Sequence, residues 1–516
     1  MRAIDLIVIF GYFTAILGVG LWFSRQNSST DRYFLGNRNF PGWAVGLSFI
    51  GSTISSVTFI AYPADSFRTA WVRLAPSFAY PLVVAVAAFL FIPLFRSGSA
   101  RSAYHYLSLR FGPSIAAYAA MIYLTAQLVR ASAILYLLSV LLHTLTSYSV
   151  PVCILIAAGT TAFYTVKGGF EAVVWTDVTQ VIVLIVGAIA CIVTIALALP
   201  GGLGQVLREA MAAGKLSFED LNRTTGQLEP LSNGLSLKNI TLPMLVLVGM
   251  SQFVAGQLDQ DTVQRWCSAK STREARKSMF VLGFGALPVW TTFMFIGTCL
   301  WVYFQHFPSA ESMEISSGLR KAEDILPHFI MTALPPGLCG LVVSAALAAA
   351  MGSLSSSINS ASMVWVCDIY RAHLYRDGND AHYVRMGRWA SMSFALIMAC
   401  GAWAVARWSS RTIVDLSFML LSLVGGGISG AFLFGLLTRR GDARAVLCGV
   451  VATMAFTGYS IVSQWGLVEE IFHPYYTSIL SNVTMFVTCW LASCVFHTPN
   501  RPLTNLTVWD RTPAKD

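Results

Sequence analysis

Long apolar segments separated by short polar connections dominate this chain. A helix needs about 20 mostly apolar residues to cross the hydrocarbon core of a bilayer. Thirteen segments approach or exceed that length, and none shows the alternation typical of a transmembrane β-barrel strand. The pattern therefore predicts an all-α, polytopic membrane protein of about thirteen spans. The predicted spans are 4–23, 42–62, 75–95, 114–143, 150–165, 171–199, 241–262, 279–307, 338–365, 389–406, 413–437, 445–465 and 476–496.

Composition supports a membrane protein and excludes other classes. Of the 516 residues, 55% are hydrophobic and only 11% are charged, whereas soluble domains carry about 25% charged residues. A water-soluble enzyme is therefore not expected, and disorder is excluded because it requires low hydrophobicity. The sequence contains no nucleotide-binding loop, serine-nucleophile or zinc-protease motif. We therefore predict that the chain is not an enzyme.

The distribution of basic residues predicts the orientation in the membrane. The formal net charge is +9, and 22 of the 34 lysine and arginine residues fall in alternate connections on one side. Because such residues collect on the cytoplasmic side, we expect a cytoplasmic C-terminus and an external N-terminus. The basic stretch 265–277 is interpreted as a solvated cytoplasmic linker, so no nucleic-acid partner is expected.

Two predicted spans contain stretches that weaken a helix. Residues 51–58 read Gly-Ser-Thr-Ile-Ser-Ser-Val-Thr. Such residues can serve as packing contacts between helices, but their hydroxyls also compete for backbone groups. An interruption there would free carbonyl oxygens for a cation, as in transporters built from two inverted repeats. The seventh span is expected to be interrupted at 249–257, in the corresponding position of a second five-helix half.

Among the ionisable residues inside predicted spans, Arg130 and Asp177 bear on function. Arg130 has long apolar flanks on both sides, and an arginine at that depth costs about 3 kcal/mol on insertion scales. It either makes an internal ion pair or carbonyl contact, or holds the carboxylate of a substrate with its planar fork. Asp177 is either a helix cap or a ligand to a cation, since hard cations prefer oxygen.

The ninth span carries serines at helical spacing, so that they share one face. This polar face is either a packing surface or a hydroxyl-lined ion site. The residues concerned are Ser353, Ser356, Ser357 and Ser360.

Three stretches make the chain resemble the sodium:solute symporter family over nearly its whole length. They are 168–180 (GGFEAVVWTDVTQ), 260–266 (QDTVQRW) and the stretch that starts at Ala348 and ends in NSASMVWVCDIY, with Asp368 near its end. The resemblance implies a cation-coupled transporter with the ten-helix inverted-repeat core of a bacterial leucine transporter. That core would occupy 42–437. Residues 1–41 would add a first helix and loop, 438–496 two further helices, and 497–516 a cytoplasmic tail.

The resemblance also assigns the site residues. The residues that correspond to substrate contacts of bacterial sialic acid transporters are Thr53, Ser55, Thr58, Ser77, Arg130 and Phe253, with Arg130 as the carboxylate partner. The principal sodium site would use the main-chain carbonyls of Gly51, Ile54 and Ala349, the hydroxyl of Ser353, and position Gly352. Asp177 would lie near a second sodium.

This sequence departs from the family pattern at three of those positions. Gly352 lacks the second hydroxyl that relatives carry, and both Ala349 and Gly352 replace serines associated with a second sodium. Ser77 stands where sialic acid transporters have glutamine. At Gly352 the principal sodium site is short of one ligand unless water or a shift of Ser356 supplies it. The departures also weaken the second sodium site and the sialic acid assignment, and they leave the role of Arg130 untouched.

The sequence as a whole predicts a symporter in the cell membrane. A sodium ion is the expected cofactor and coupling ion. Its entry would drive import of a small organic anion: sialic acid, a related sugar acid or a monocarboxylate. One alternative is a neutral sugar or polyol substrate, with Arg130 paired internally. A remote alternative is a membrane sensor or channel of the same fold, although the predicted cytoplasmic tail of about 20 residues is too short for a signalling domain.

Overall fold

A computed structural model describes residues 2–24, 29–97, 102–146, 148–221, 228–407, 426–496 and 503–510. Within them the chain is almost entirely helical. The α-helices are α1 Ala3–Ser24, α2 Thr30–Leu35, α3 Gly42–Thr53, α4 Ser56–Arg68, α5 Tyr80–Val86, α6 Ile92–Ser97, α7 Ala103–Phe111, α8 Pro113–Thr146, α9 Val150–Ala198, α10 Gly202–Ala212, α11 Leu242–Gln257, α12 Gln260–Ser268, α13 Thr272–His306, α14 Ala310–Ser316, α15 Ile325–Thr332, α16 Leu338–Met363, α17 Asp380–Arg407, α18 Ile428–Leu437, α19 Ala443–Gln464 and α20 Thr477–Val495.

Short elements connect these helices. The 3₁₀ turns are Gly36–Arg38, Val72–Ala79, Ala322–Asp324 and Pro474–Tyr476, and the π-helical turns are Ala87–Phe91 and Val364–Leu374. One antiparallel ribbon pairs β1 Glu219–Leu221 with β2 Leu228–Pro230.

The described residues contain nine helical segments long and apolar enough to cross a membrane, and two bent helix pairs raise this number to eleven. They correspond to twelve of the predicted spans, because 150–165 and 171–199 both belong to α9. The remaining predicted span, 413–437, lies partly outside the described residues, and its described part contains the short apolar helix α18. Most of the tail 497–516 also lies outside them.

Gly169 divides α9 into the two predicted spans. An uninterrupted helix of its 49 residues would be about 74 Å long, more than twice the hydrocarbon thickness. Gly169 has φ 60° and ψ −156°, a conformation that favours glycine. A Cβ at this position would also lie 2.7 Å from the carbonyl oxygen of Tyr33. Glycine is therefore required both for the turn and for the contact.

The two bent pairs correspond to the spans predicted to be interrupted. Helices α3 and α4 meet at 62°, with the break at Ile54 and Ser55 inside the predicted stretch 51–58. Helices α11 and α12 meet at 55°. The predicted position of this second break was wrong, because α11 continues through 249–257 and ends at Gln257, so that the break falls at Leu258 and Asp259.

Helix α16 lies at the centre of the bundle. Residues 342–363 are all buried, and the helix packs against α1, α3, α8, α9 and α17. Its alanine-, glycine- and serine-rich sequence allows these close approaches, as is usual for helix packing in membranes. The broken pair α3 and α4 packs along α13 on one side and touches α16 on the other. The break is therefore held between two long helices.

The interpretation of 265–277 as a solvated linker was wrong at its first residues. Residues 263–268 of α12 are buried, and Arg265 and Trp266 are among the largest fully buried side chains of the described chain. Helix α13 then begins after the cap residue Ser271, whose side chain accepts a hydrogen bond from Glu274 N.

Candidate functional site

The break between α3 and α4 exposes carbonyl oxygens to α16. Ile54 and Ser55 both have extended backbone conformations, so carbonyls in the last turn of α3 lose their helical partners. The hydroxyl of Ser353 donates to the carbonyl oxygens of Ser52 at 3.0 Å and Ile54 at 3.2 Å. Ser353 therefore lies beside the broken segment, at the place expected for a ligand of the first sodium.

Gly352 faces the same break and has no room for a side chain. A Cβ on Gly352 would lie 2.8 Å from the carbonyl oxygen of Gly51 and 2.9 Å from Oε1 of Gln180. Gln180 is buried, and among the described residues neither its amide nitrogen nor its amide oxygen has a partner in normal hydrogen-bond geometry. The hydroxyls of Tyr12 and Tyr164 face it. The side-chain oxygen of Gln180 thus approaches the space that a hydroxyl at 352 would fill. Gln180 is a site residue that the local sequence does not single out, because a lone glutamine in an apolar span carries no distinctive pattern.

Asp177 is neither a helix cap nor an interfacial residue. Its side chain is fully buried within α9, where Oδ2 accepts hydrogen bonds from Ser48 at 2.6 Å and Arg265 at 3.0 Å. Its second oxygen, Oδ1, is buried and has no hydrogen-bond partner among the described residues. The capping alternative was therefore wrong. The cation role stays a prediction, with Arg265 as a fixed positive neighbour.

Arg265 is the centre of a buried polar network that the sequence analysis missed. Besides Asp177, its guanidinium donates to Asp261 Oδ1 at 2.5 Å, Ser356 Oγ at 2.6 Å and Ser48 Oγ at 3.0 Å. A fixed cation that satisfies several acceptors is the usual way to accommodate charge in a low-dielectric interior. The network connects α3, α9, α12 and α16.

The predicted serine face of α16 serves several neighbours. Ser353 contacts the break and Ser356 accepts from Arg265, as described. Ser357 donates to Gln127 Oε1 at 3.1 Å, and Ser360 accepts from the hydroxyl of Tyr123 at 2.8 Å. The part of this face beyond Ser356 therefore packs against α8.

A polar cavity of about 180 Å³ lies beside the break. It brings together three predicted substrate residues, Thr53, Arg130 and Phe253. Arg130 is an exposed residue at this cavity and makes no ion pair or hydrogen bond within the described part of the chain. The complete lining is Phe49, Ser52, Thr53, Tyr80, Arg130, Gln252, Phe253, Gly256, Gln257, Asp259, Asp261, Thr262 and Leu282.

The other predicted substrate residues do not line this cavity. Ser55 is half-buried at the start of α4, where its side chain makes no cap hydrogen bond. Thr58 and Ser77 are buried. Of the predicted sodium residues, Gly51, Ile54, Ala349, Gly352 and Ser353 are buried around the break. Their roles stay predictions.

Two aromatic residues, Tyr80 and Phe253, line the cavity, and Trp290 packs against both. Phe253 stacks on Trp290 with 5.8 Å between ring centroids, and Tyr80 meets both rings edge-on, at 4.6 Å from Phe253 and 5.2 Å from Trp290. Tyr80 and Trp290 were not predicted, because their apolar surroundings in the sequence are those of ordinary span residues. The cavity thus combines aromatic side chains with polar groups, which is typical of small-molecule sites.

Comparison with known proteins places this arrangement among transporters. The sequence profile of the sodium:solute symporter family matches residues 33–452. The sodium/sialic acid symporter SiaT of Proteus mirabilis is 29% identical over 457 residues, which cover 87% of this chain and 88% of the relative. The human sodium-coupled monocarboxylate transporter 1 is 24% identical, and the match covers 91% of this chain and 74% of that protein.

Solved structures agree with the fold. A sodium-coupled sialic acid symporter in a substrate-bound, outward-open state superimposes with a TM-score of 0.85 at 25% identity, covering 96% of this chain and 99% of that one. A nucleobase-cation-symport-1 family transporter superimposes with a TM-score of 0.53 at 12% identity, covering 93% and 98%, which bears on the fold alone. Both neighbours have the leucine-transporter fold, so the expected fold class is confirmed.

Proposed function

The chain belongs to the sodium:solute symporter family, and on that premise we propose that it imports a small organic acid together with sodium. It is a multi-pass membrane protein whose relatives are transporters, and we assign it no enzymatic activity. Its substrate class is sialic acid, a related sugar acid or a monocarboxylate. Sialic acid and monocarboxylates, the solutes for which two relatives are named, both fall within this class.

One observation carries the substrate assignment. Arg130 faces a polar cavity and makes no ion pair within 4 Å and no hydrogen bond among the described residues. A guanidinium at membrane depth is costly unless a partner or water compensates it, and a carboxylate matches its fork in two parallel hydrogen bonds. The alternative of a neutral sugar or polyol required Arg130 to be paired internally, and this observation favours the acid.

The coupling ion is proposed to bind at the break of the second span. Carbonyl oxygens of Gly51, Ile54 and Ala349 and the hydroxyl of Ser353 would form its ligands, as hard cations require. A sodium ion there would hold α3 and α4 against α16 and so complete the adjacent cavity. Each sodium entering the cell would also gain about 2.3 kcal/mol per 100 mV of membrane potential.

The domain boundaries and orientation belong to the same proposal. Residues 42–437 would form the inverted-repeat core, with 1–41 and 438–496 as flanking segments. The two broken pairs, α3–α4 and α11–α12, support two corresponding halves. The excess of basic residues on one side supports a cytoplasmic C-terminus and an external N-terminus.

The function is tested by substituting Arg130 and comparing an acid with its amide. Uptake of N-acetylneuraminate into proteoliposomes should require a sodium gradient. Arg130→Lys should raise the half-saturating concentration, and Arg130→Ala should raise it about 10- to 100-fold, as expected for a lost charged hydrogen bond. The amide of the same sugar acid should bind weakly to wild type and lose much less affinity in either variant.

The control is Arg320→Lys, since Arg320 forms only half-exposed pairs outside the cavity. This variant should transport normally. Equal losses for acid and amide in the Arg130 variants would overturn the carboxylate assignment and favour a neutral sugar or polyol. Absence of sodium-dependent uptake of every acid tested by correctly folded wild type would overturn the function itself.

A further inference from the structure

Two opposite charges face the candidate cavity, and neither is paired with another described residue. Arg130 and Asp259 both line it. Within the described residues neither side chain makes an ion pair within 4 Å or a hydrogen bond, although they interact electrostatically at longer range. Asp259 is the first residue before α12, but its side chain does not cap that helix. A gap therefore separates a guanidinium from a carboxylate inside one cavity.

The other charged and polar groups of the cavity do not satisfy Asp259. The neighbouring carboxylate, Asp261, already accepts from Arg265 at 2.5 Å, so that Arg265 is committed to Asp261 and Asp177. Thr262 donates its hydroxyl to the carbonyl of Gly256. Among the described residues, the Asp259 carboxylate thus remains an acceptor without a donor.

A buried amide gives a second indication of a missing donor. Gln257 also lines the cavity and is 4% exposed, and its Oε1 has no hydrogen-bond partner in the part of the chain that the structure describes. The hydroxyl of Tyr80 faces this amide without reaching normal hydrogen-bond geometry. A buried acceptor without a donor costs about 1–3 kcal/mol. Two acceptors of the cavity, Asp259 and Gln257, are therefore available to a ligand that carries donors.

We propose that Asp259 is a specificity-determining residue that accepts hydrogen bonds from hydroxyl or ammonium groups of an acid held by Arg130. This inference rests on the proposed function and narrows its substrate class. The preferred substrate is an acid that carries hydrogen-bond donors along its chain, such as a polyhydroxylated sugar acid, rather than a plain monocarboxylate.

Electrostatics explains how Asp259 can both favour an acid that carries hydrogen-bond donors and disfavour a plain carboxylate. A plain carboxylate bound at Arg130 brings a second anion towards Asp259 and offers it nothing, so the two negative charges repel each other. An acid with donors compensates Asp259 by a charge-assisted hydrogen bond, which is stronger than a neutral one. Specificity of this kind combines attraction of one ligand with rejection of another.

Two six-carbon acids provide a matched pair of probes. Gluconate and hexanoate each carry one carboxylate, and they differ in their hydroxyl groups. Half-saturating concentrations for both, and for N-acetylneuraminate, are measured with purified protein in proteoliposomes for wild type, Asp259→Asn and Asp259→Glu. Asp324→Asn is the control, because Asp324 is a half-exposed carboxylate outside the cavity.

In Asp259→Asn we expect the half-saturating concentration of gluconate to rise about 10- to 100-fold, the range for a lost charged hydrogen bond, while that of hexanoate falls. Asp259→Glu should restore part of the preference, and the half-saturating sodium concentration should not change. Equal changes for both acids, no change for either, or a wild type that does not prefer gluconate over hexanoate would overturn the inference.

A changed sodium dependence in Asp259→Asn would also overturn it, because the carboxylate would then serve the cation. These outcomes differ from a failure of the proposed function. If that function fails, wild type transports no acid at all, and the Arg130 variants have no acid-specific effect. If only this inference fails, wild type still transports acids through Arg130, without discrimination by Asp259.

Discussion

Removing the guanidinium of Arg265 is the most informative perturbation of the buried network. Arg265→Met keeps a side chain of comparable length and deletes the charge together with its donors. The side chains of Arg265 and Asp177 are both 0% exposed, so water cannot replace the lost partner. The substitution therefore leaves the carboxylate of Asp177 buried without a cation and removes one contact of Asp261.

The expected loss follows from these contacts. Breaking a buried ion pair by removing one partner costs about 3–5 kcal/mol of unfolding free energy. Asp177→Asn should cost less, about 1.5–3 kcal/mol for a charged hydrogen bond, because Arg265 retains Asp261. Since the two side chains touch at 3.0 Å, the double variant should deviate from additivity by about 0.5–3 kcal/mol.

The assay is a reversible unfolding titration in mixed detergent micelles, applied to wild type, both single variants and the double variant. Arg320→Met is the control, because Arg320 forms half-exposed pairs with Glu311 and Asp324. Exposed pairs contribute about 0–1 kcal/mol. A sodium titration of Asp177→Asn, made in parallel, tests whether the same carboxylate also influences the cation.

Two results would refute the reasoning. If Arg265→Met unfolds with the same free energy as Arg320→Met, the guanidinium is not compensating buried charge. If the losses of Arg265→Met and Asp177→Asn add without deviation, the two side chains do not form one unit. Normal uptake with unchanged sodium activation in Asp177→Asn would assign Asp177 a structural role alone.

Two further predictions concern the coupling ion and the stability of the protein. Ser353→Ala should raise the sodium concentration for half-maximal uptake, whereas Ser344→Ala, whose hydroxyl donates to Gly340 O within α16, should not. An unchanged sodium dependence in Ser353→Ala would exclude the proposed ion site. Burial lowers the pKa of Lys215, which lies between α10 and β1, to about 8. In the unfolded chain the pKa of a lysine is about 10.4. Between these two pH values the unfolded state therefore binds more protons than the folded state. The unfolding free energy should therefore rise between about pH 8 and pH 10.4 by up to roughly 3 kcal/mol. Lys215→Met should abolish this rise, whereas the exposed Lys238→Met should not. A pH profile of Lys215→Met that runs parallel to that of wild type would contradict the prediction.

Local sequence determined the architecture. Length and apolarity select membrane helices segment by segment, because each helix satisfies its backbone hydrogen bonds internally. The break at Ile54 and Ser55 was predictable for the same reason, since the hydroxyl-rich stretch 51–58 weakens the helix where it occurs. The depth of Arg130 likewise marked it as exceptional before any fold was known.

Tertiary structure decided what the polar residues contact. Arg265 follows a short polar stretch and reads as part of a solvated linker, yet it is buried because Ser48 and Asp177, 217 and 88 residues away, surround it. The position of the second break, at Leu258 and Asp259, also differs from the weakest local stretch. Burial and pairing of charge depend on neighbours distant in sequence, and a local pattern contains no information about them.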